Sequence, residues 1–262
     1  MNETLRQITS HRSIRKYKTD PVSDDVQSRI CRAALRASSS GNMQTLSIIV
    51  SRDPERKKQL WELHFRQDMI LQAPLLLTFC ADWNRMNHWC RMSDADPGFD
   101  NFLCFMVAVG DAFIAAQNAA LAAESFGLGI CFMGTTLRSA KELARFFSCP
   151  EGVVPVTTLV AGYPDEDPPL RDRLPASGIV HQERYRDYDD TEIRAVYETR
   201  ERDGWNRYMS ANHLAEKVKA LGAQNLAQIY TKVKYPKEYN EMFSKDLLDV
   251  ISEKGFMPSG PS

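Results

Sequence analysis

The chain has 262 residues, enough for one large domain or two small ones, and its 43% hydrophobic and 26% charged residues are typical of a globular protein. Lys and Arg number 33 against 34 Asp and Glu, which gives a formal net charge of −1. This balance argues against a general nucleic-acid binder and against electrostatic attraction to anionic membranes. Residues 1–10 are polar and lack the apolar segment of a secretory signal, so we expect a cytoplasmic protein.

The first part of the chain predicts helices and strands in alternation. Ser23 is a good N-cap for a helix with apolar residues at helical spacing, and Asp53-Pro54 would begin another helix. β-branched and apolar runs predict strands at 45–50 and 75–81. The predicted helices cover residues 1–9, 24–37, 54–63 and 66–72, and residues 82–100 predict a loop with one short helix.

The longest apolar stretch, residues 102–126, predicts a long helix. It is long enough to span a membrane, but several residues unsuited to a membrane span interrupt it, which favours a buried core helix. The interrupting residues are Gly110, Asp111, Gln117 and Asn118. Beyond this helix, the sequence predicts strands at 130–133 and 155–161 and a helix at 136–147.

The last third of the chain changes character. Residues 165–190 are rich in Pro, Asp and Arg without a clear period, 191–254 carry charged helical patterns, and 257–262 are expected to be frayed. We therefore expect residues 1–164 to form the core and 165–262 an extension, within one structural domain. Such a polar arm buries surface more easily by wrapping around a partner than by forming a core of its own.

Two arginine clusters suit the binding of a phosphate group. The first is the segment 11–15, which reads His-Arg-Ser-Ile-Arg, and the second holds Arg171 and Arg173. Arg offers a planar fork of donors to phosphate oxygens, and Ser adds a short, directional donor. Together the clusters predict one small anionic site, such as that of a phosphorylated cofactor. The alternative for each cluster taken alone is solvated surface.

Other familiar catalytic patterns do not occur in the sequence. It contains no G-x-S-x-G or H-E-x-x-H motif, and none of the six cysteines forms a C-x-x-C pair, so zinc ribbons and thioredoxin-like chemistry are not expected. Gly127-Leu128-Gly129 resembles part of a dinucleotide loop, but it follows a predicted helix and precedes a predicted strand. That order is the reverse of the Rossmann motif, so we reject a Rossmann site here.

Five groups of residues together point to a known family. They are His11-Arg12-Ser13-Ile14-Arg15; Ala37-Ser38-Ser39-Ser40 with Gln44; Gln117 to Ser125 with Gly127-Leu128-Gly129; Gly162-Tyr163-Pro164; and Arg173-Leu174-Pro175-Ala176-Ser177 with Val180-His181. In this order they resemble the FMN-dependent nitroreductase family, most closely its oxygen-insensitive, NADPH-preferring nitroreductase and flavin reductase branch.

The resemblance implies a fold and an assembly. The fold is an α+β sandwich with a central, mostly antiparallel sheet flanked by helices, here followed by an extended C-terminal arm. The assembly is an obligate homodimer with FMN at each end of the subunit interface. The long helix at 102–126 would form much of that interface, and its alternative role is an ordinary core helix of a monomer.

The resemblance also assigns cofactor-binding roles. Arg12 and Ser13 are placed near the FMN phosphate, with Arg171 and Arg173 closing over it, and His11 is assigned to the cofactor-binding set without a specific contact. Arg15 would approach the N1/O2 edge of the flavin, where a positive charge stabilises the reduced ring. The other assignments are Gln67 at the pyrimidine edge, Ser38, Ser39 and Ser40 from the opposite subunit, and Met133, Gly134 and Thr135 against the ring, with a backbone N–H directed at N5.

Two positions depart from the family pattern. This branch usually has two adjacent glycines at the flavin-facing turn, whereas this chain reads Met133-Gly134-Thr135-Thr136, with one extra residue. A β-branched residue does not easily adopt a positive φ at such a turn. Arg171 stands where Lys is common, and both are cationic, although the two are not equivalent.

The activity implied by the resemblance is flavin-dependent oxidoreduction. NADPH or NADH would reduce FMN by hydride transfer, and a small-molecule acceptor would then take two electrons in a ping-pong cycle. Nitroaromatics, quinones and free flavins are the implied acceptors. Two alternatives stay open: a flavin-binding carrier or sensor with little turnover, and a non-flavin interaction protein.

Two further groups of residues have open roles. Arg200, Arg202 and Arg207 are candidates for binding the 2′-phosphate of NADPH, although a solvated helix face is the favoured interpretation. Trp83 and Trp89 could line the acceptor pocket or take part in surface packing.

Overall fold

A computed structural model describes residues 1–257, and residues 258–262, part of the predicted frayed end, lie outside the described chain. The described chain forms two compact units. The first consists of Met1–Pro169 together with the residues from Phe243 onward, and the second is Leu170–Met242.

The first unit is built around a four-stranded antiparallel sheet. Its strands are β1 (Leu46–Ser51), β2 (Leu75–Asp82), β3 (Gly129–Met133) and β4 (Val153–Gly162). Their order in the sheet is β1-β2-β4-β3, so β1 and β3 lie at opposite edges. Leu77 pairs with Leu159 across the two central strands, and Ile130 pairs with Ala161 at the β3 edge. The predicted α+β architecture with an antiparallel sheet is confirmed.

Twelve α-helices accompany the sheet in the described chain. In chain order they are α1 (Glu3–Thr9), α2 (Asp24–Ala34), α3 (Pro54–Leu63), α4 (Met69–Gln72), α5 (Asn84–Met92), α6 (Phe102–Ser125), α7 (Thr135–Arg138), α8 (Ala140–Phe146), α9 (Asp190–Met209), α10 (Asn212–Ala220), α11 (Leu226–Ile229) and α12 (Lys237–Glu253).

Side-chain caps explain where several helices begin. The Ser23 side chain accepts the N–H of Val26 at the start of α2, and Asp53 accepts that of Arg56 at the start of α3, which has Pro54 at its first position. Asn101 caps α6 in the same way. The two helix N-termini predicted from Ser23 and Asp53-Pro54 are therefore confirmed.

Several predicted elements differ in extent from the observed ones, and the helix predicted at 24–37 ends at Ala34 as α2. The helix predicted at 66–72 is only α4, because Phe65 and Arg66 both adopt left-handed backbone conformations, with φ of 56° and 57°. The helix predicted at 136–147 is divided into α7 and α8 at Ser139, which has non-helical angles. The strand predicted at 155–161 is longer by two residues at its start and by one at its end, as β4.

Helix α6 buries one face and exposes the other. Its buried face consists mainly of alanines, whose small side chains let the helix approach β2, β4 and α2 closely: Ala108, Ala112, Ala115, Ala116 and Ala119. By length and composition alone α6 could cross a membrane. However, its buried face is packed in the core of the first unit, as predicted for a core helix.

The second unit has a small core of its own. It is formed by side chains from α9, α10, α11 and the turn between the last two: Tyr208, Val218, Ala223, Leu226 and Ile229. A Cβ at Gly204 would collide with Leu226, so α9 approaches α11 closely because this position lacks a side chain.

Candidate functional site

The segment 11–15 lies along the edge strand β3. The Ile14 N–H donates to the Ile130 carbonyl at 2.9 Å, and Ser13 forms a parallel bridge with the same residue. Ile14 is buried, whereas its neighbour Arg15 is exposed. Because successive side chains of an extended segment point to opposite faces, the burial of Ile14 turns Ser13 and Arg15 away from the core.

The loop after β4 runs beside this segment. The N–H of Lys18 donates to the carbonyl of Tyr163 and that of Asp165 to the carbonyl of Lys16, each at 2.9 Å. The predicted motifs at 11–15 and 162–164, which are far apart in the chain, are therefore brought together in the first unit.

Arg12 is half-buried and faces two oxygen acceptors of that loop. Its Nη1 lies 2.5 Å from Asp167 Oδ1 and donates to the Pro168 carbonyl at 3.1 Å. The Asp167 side chain is 88% exposed, so this ion pair is worth little and can be exchanged for another anion. The Glu166 carboxylate accepts the N–H groups of Arg15 at 2.5 Å and Lys16 at 3.2 Å.

His11 contacts α6. Its Nδ1 lies 2.5 Å from Oε1 of Glu124. An open cavity of about 290 Å³ adjoins this pair and is also lined by Arg12, Ile14 and Asp167. The acidic and basic side chains of the cavity suit a polar or charged ligand.

Gln67 and Thr135, predicted to contact the same flavin, lie side by side. The Gln67 Nε2 donates to the Thr135 hydroxyl at 3.3 Å and to the His64 carbonyl at 3.1 Å. The His64 Nδ1 lies 2.8 Å from the same hydroxyl. Thus Thr135 joins the turn before α4 to the start of α7.

His64 was not among the predicted site residues. It is fully buried, and burial lowers its pKa to about 4, so the imidazole is neutral near pH 7. Its Nε2 is buried without a hydrogen-bond partner among the described residues. No motif marks this histidine in the sequence, and only the fold places it against Thr135.

The turn from β3 into α7 is open. Gly134 has φ −63° and ψ −14°, and Thr135 is the first residue of α7, so neither adopts the positive φ that would conflict with a β-branched residue. A Cβ built on Gly134 would meet nothing within 4 Å. The Met133 side chain is buried in the core, so only its main chain remains available to a ligand at this turn.

These features fit the FMN that the resemblance implies. Segment 11–15 supplies a guanidinium and a hydroxyl for a phosphate, and it is attached to β3. That strand leads into Gly134, where a flat ring can approach the main chain without meeting a side chain. Gln67 and Thr135 supply hydrogen-bonding groups beside that position.

Ser38, Ser39 and Ser40 lie elsewhere in the first unit. Their loop leads towards β1, the sheet edge opposite to β3, and is held by α6. Asp111 of α6 accepts from the Ser39 hydroxyl at 2.7 Å, the Ser40 N–H at 3.0 Å and the Thr45 hydroxyl at 2.9 Å. Burial alone would raise the pKa of Asp111, but these hydrogen bonds outweigh it and lower the pKa. One chain therefore does not bring the serines together with segment 11–15.

Arg171 and Arg173 belong to the second unit, where Asp172 between them is tied to α9. Arg200 Nε lies 2.6 Å from the Asp172 carboxylate, and Arg207 Nη1 lies 3.8 Å from it. Two of the three arginines considered for the NADPH 2′-phosphate are thus paired with Asp172. The third, Arg202, pairs with Asp203 at 2.9 Å.

The two tryptophans have different environments. Trp83 is buried, stacks on Phe99 with ring centroids 4.3 Å apart, and donates its Nε1–H to the Cys104 carbonyl at 2.7 Å. Neither of its two suggested roles, pocket lining or surface packing, is observed, because Trp83 belongs to the core of the first unit. Trp89 on α5 is 62% exposed.

Comparison with known proteins identifies the family. The model of the Nitroreductase family matches residues 8–163. An FMN reductase [NAD(P)H] of Bacillus subtilis is 34% identical over 253 residues, covering 94% of this chain and 97% of the relative. An oxygen-insensitive NADPH nitroreductase of Salmonella typhimurium is 33% identical over 227 residues, covering 82% of this chain and 93% of the relative. The crystal structure of nitroreductase A from Vibrio parahaemolyticus superposes with a TM-score of 0.83 at 27% identity, covering 99% of this chain and 100% of that one. The chain belongs to the nitroreductase family.

Proposed function

We propose that this chain is an FMN-dependent oxidoreductase that uses NADPH or NADH to reduce nitroaromatics, quinones or flavins by two-electron, ping-pong transfer. The observation that carries the proposal is the continuous path from segment 11–15 along β3 to the open turn at Gly134, beside Gln67 and Thr135. The two relatives named above are reductases that use NAD(P)H or NADPH, and they favour turnover over a carrier or sensor role.

Reversible two-electron reduction is the chemistry that FMN supplies when it is bound. The chain's own residues bind and orient the cofactor. Arg12 and Ser13, with His11 beside them, would donate hydrogen bonds to the phosphate, and Arg12 would give up its contact with Asp167 to do so. Arg171 and Arg173 of the second unit have the same phosphate-binding role.

The ring end of the site is formed by polar groups of the first unit. Arg15 supplies a positive charge at the N1/O2 edge, which stabilises the negative charge of the reduced ring. Gln67 donates or accepts at the pyrimidine edge, and Thr135 holds the Gln67 amide in place. The main chain of residues 133–135 would lie against the ring and could direct an N–H at N5.

The site is completed by a second copy of the chain. Ser38, Ser39 and Ser40 lie towards the sheet edge opposite to β3, so they reach a flavin on β3 only from a partner subunit. The exposed face of α6 supports a homodimer, since its apolar residues follow helical spacing: Leu103, Met106, Phe113 and Ile114. The dimer acts on small molecules in the cytoplasm and binds neither nucleic acid nor membrane.

The proposed function is tested by steady-state turnover of the purified, FMN-reconstituted protein. We expect a yellow protein that, in anaerobic buffer, oxidises more than one equivalent of NADPH or NADH only when a nitroaromatic, a quinone or free flavin is supplied. Initial rates over a matrix of both substrates should give the parallel double-reciprocal lines of a ping-pong cycle. A reconstituted protein that binds flavin but does not oxidise either nucleotide with any acceptor would contradict the proposal.

A further inference from the structure

We propose that Asp172 is a positioning residue for phosphate binding: held by Arg200 and Arg207 of α9, it fixes the main chain between Arg171 and Arg173. The inference rests on the proposed function, because it requires those two arginines to bind the FMN phosphate. It adds three residues, Asp172, Arg200 and Arg207, that would act on the cofactor without touching it.

The contacts of Arg200 fix both the side chain and the main chain of Asp172. Arg200 Nε lies 2.6 Å from Asp172 Oδ2, an ion pair in which the N–H is not aligned for a hydrogen bond. The Nη2 of the same guanidinium donates to the Asp172 carbonyl at 3.2 Å. A planar guanidinium that engages two groups of one residue restrains its orientation as well as its position.

A second arginine supports the same carboxylate. Arg207 Nη1 lies 3.8 Å from Asp172 Oδ1, and it also donates to the Asp203 carbonyl within α9. Arg200 and Arg207 lie two helical turns apart on α9, so both project from one side of the helix. Asp172 is therefore held by a rigid element rather than by a neighbouring loop.

Burial distinguishes this network from an ordinary surface ion pair. The Asp172 side chain is only 10% exposed, whereas the Arg202–Asp203 pair on the same helix is 63% and 41% exposed. Removing one partner of a buried pair leaves an uncompensated charge, whereas removing one partner of an exposed pair has little effect. The second pair therefore offers a matched control.

The segment around Asp172 has little structure of its own. Residues 166–175 form neither helix nor strand. Beside Asp172, Arg173 Nη1 donates to the carbonyls of Asp172 at 3.1 Å and Arg171 at 3.4 Å, both within the same turn. Fixing such a segment before the ligand arrives lowers the entropy that phosphate binding must overcome.

Loss of the Asp172 carboxylate has two opposing effects on a bound phosphate. The extra net positive charge would favour the anion, but solvent and salt screen that field. The loss of the anchor lets the flanking arginines leave their binding geometry, and charge-assisted hydrogen bonds depend on that geometry. We expect the second effect to dominate.

The test compares the dissociation constants of FMN and riboflavin, which lacks the phosphate, measured by quenching of flavin fluorescence. Asp172→Asn should weaken FMN binding about tenfold and leave riboflavin binding unchanged, since only the phosphate contacts are disturbed. Asp172→Glu, which retains the carboxylate, should recover part of the loss. Asp203→Asn should bind both flavins as the wild type does.

Two further variants make every outcome decisive. Arg173→Ala tests the phosphate assignment itself: if FMN affinity is unchanged there, the phosphate role of the second unit fails, and this inference fails with it. If Arg173→Ala weakens FMN binding but Asp172→Asn does not, or if Asp172→Asn weakens both flavins equally, only the positioning role is overturned. If Asp172→Asn does not fold, Arg207→Gln replaces it in the test. That variant should lose some FMN affinity, though less than Asp172→Asn, and should bind riboflavin as the wild type does. Unchanged FMN affinity in Arg207→Gln would contradict the inference.

Discussion

At the scale of single residues, His64 is the least expected part of the site. Its imidazole lies between the buried core and Thr135, and it is held neutral by burial. The same hydroxyl contacts Gln67, so one buried histidine fixes two residues that we propose to face the flavin. A buried group of this kind affects stability as well as the site.

We predict that His64 makes the folded state less stable in acid. Its pKa is about 4 when folded and near 6.5 when unfolded, so the unfolded chain binds the proton first as the pH falls. The stability contribution is complete above pH 6.5 and is lost progressively towards pH 4, by roughly 3 kcal/mol in total. The measurement is urea unfolding of the wild type and His64→Asn at several pH values in this window.

The control for this prediction is His213→Asn, since His213 is exposed. That variant should keep the wild-type pH dependence, whereas His64→Asn should show a shallower decline. Equal slopes for His64→Asn and the wild type would contradict the assignment of the acid sensitivity to His64.

Sequence patterns indicated some site residues better than others. The Arg12, Ser13 and Arg15 cluster stands out because guanidinium and hydroxyl donors in one short segment suit a phosphate. His64 has no such signal, since its role depends on Thr135, which is distant in sequence. The sequence also suggested that Thr135 would need an unfavourable positive φ. The fold removes this conflict, because α7 begins at Thr135 with ordinary helical angles.

At the scale of elements, the pairing of segment 11–15 with β3 depends on a glycine. A Cβ at Gly129 would lie 2.6 Å from Ile14 Cγ1, closer than real contacts allow. Gly129 therefore permits Ile14 to pack against β3 and holds the residues on either side of it in place.

We predict that Gly129→Ala lowers both stability and FMN affinity, because Ile14 must move and the extended segment must shift with it. The loss of stability should be about 1–3 kcal/mol, as for other overpacked sites. Gly98→Ala, where a Cβ meets nothing within 4 Å, is the matched control. Thermal unfolding and FMN titration measure the two effects, and a Gly129→Ala protein with wild-type FMN affinity would contradict the role given to this contact.

Element boundaries were predictable where local chemistry sets them. Ser23 and Asp53-Pro54 mark the starts of α2 and α3 because their caps act within one turn. The break before α4 was missed because Phe65 and Arg66 adopt positive φ without being glycine or asparagine. Such strained positions persist only when surrounding structure enforces them, so the local sequence does not reveal them.

At the scale of the whole molecule, the two groups of residues that we propose to bind one flavin lie towards opposite edges of one sheet. Ser39 is fixed by Asp111 towards the β1 edge, whereas Ser13 pairs with β3. Motif order in the sequence indicated the family and led us to expect a dimer, but it could not show that the sheet keeps these motifs apart, because strand order depends on long-range pairing.

We predict that the exposed face of α6 mediates dimer formation. Phe113→Asp places a charge among its exposed apolar side chains and should shift the protein towards monomers in sedimentation velocity, with a parallel loss of bound FMN. Leu221→Asp, at an exposed leucine of the second unit, should stay dimeric. A Phe113→Asp protein that remains dimeric and flavin-loaded would contradict this prediction.

The most direct test of the account is the FMN affinity of Arg12→Ala compared with Arg6→Ala, whose exposed guanidinium pairs only with Glu3 in the described chain. Arg12→Ala removes charge-assisted hydrogen bonds worth about 1.5–3 kcal/mol each, so FMN should bind at least about tenfold more weakly. Arg6→Ala should bind FMN as the wild type does. Unchanged FMN affinity in Arg12→Ala would contradict the claim that segment 11–15 holds the cofactor phosphate.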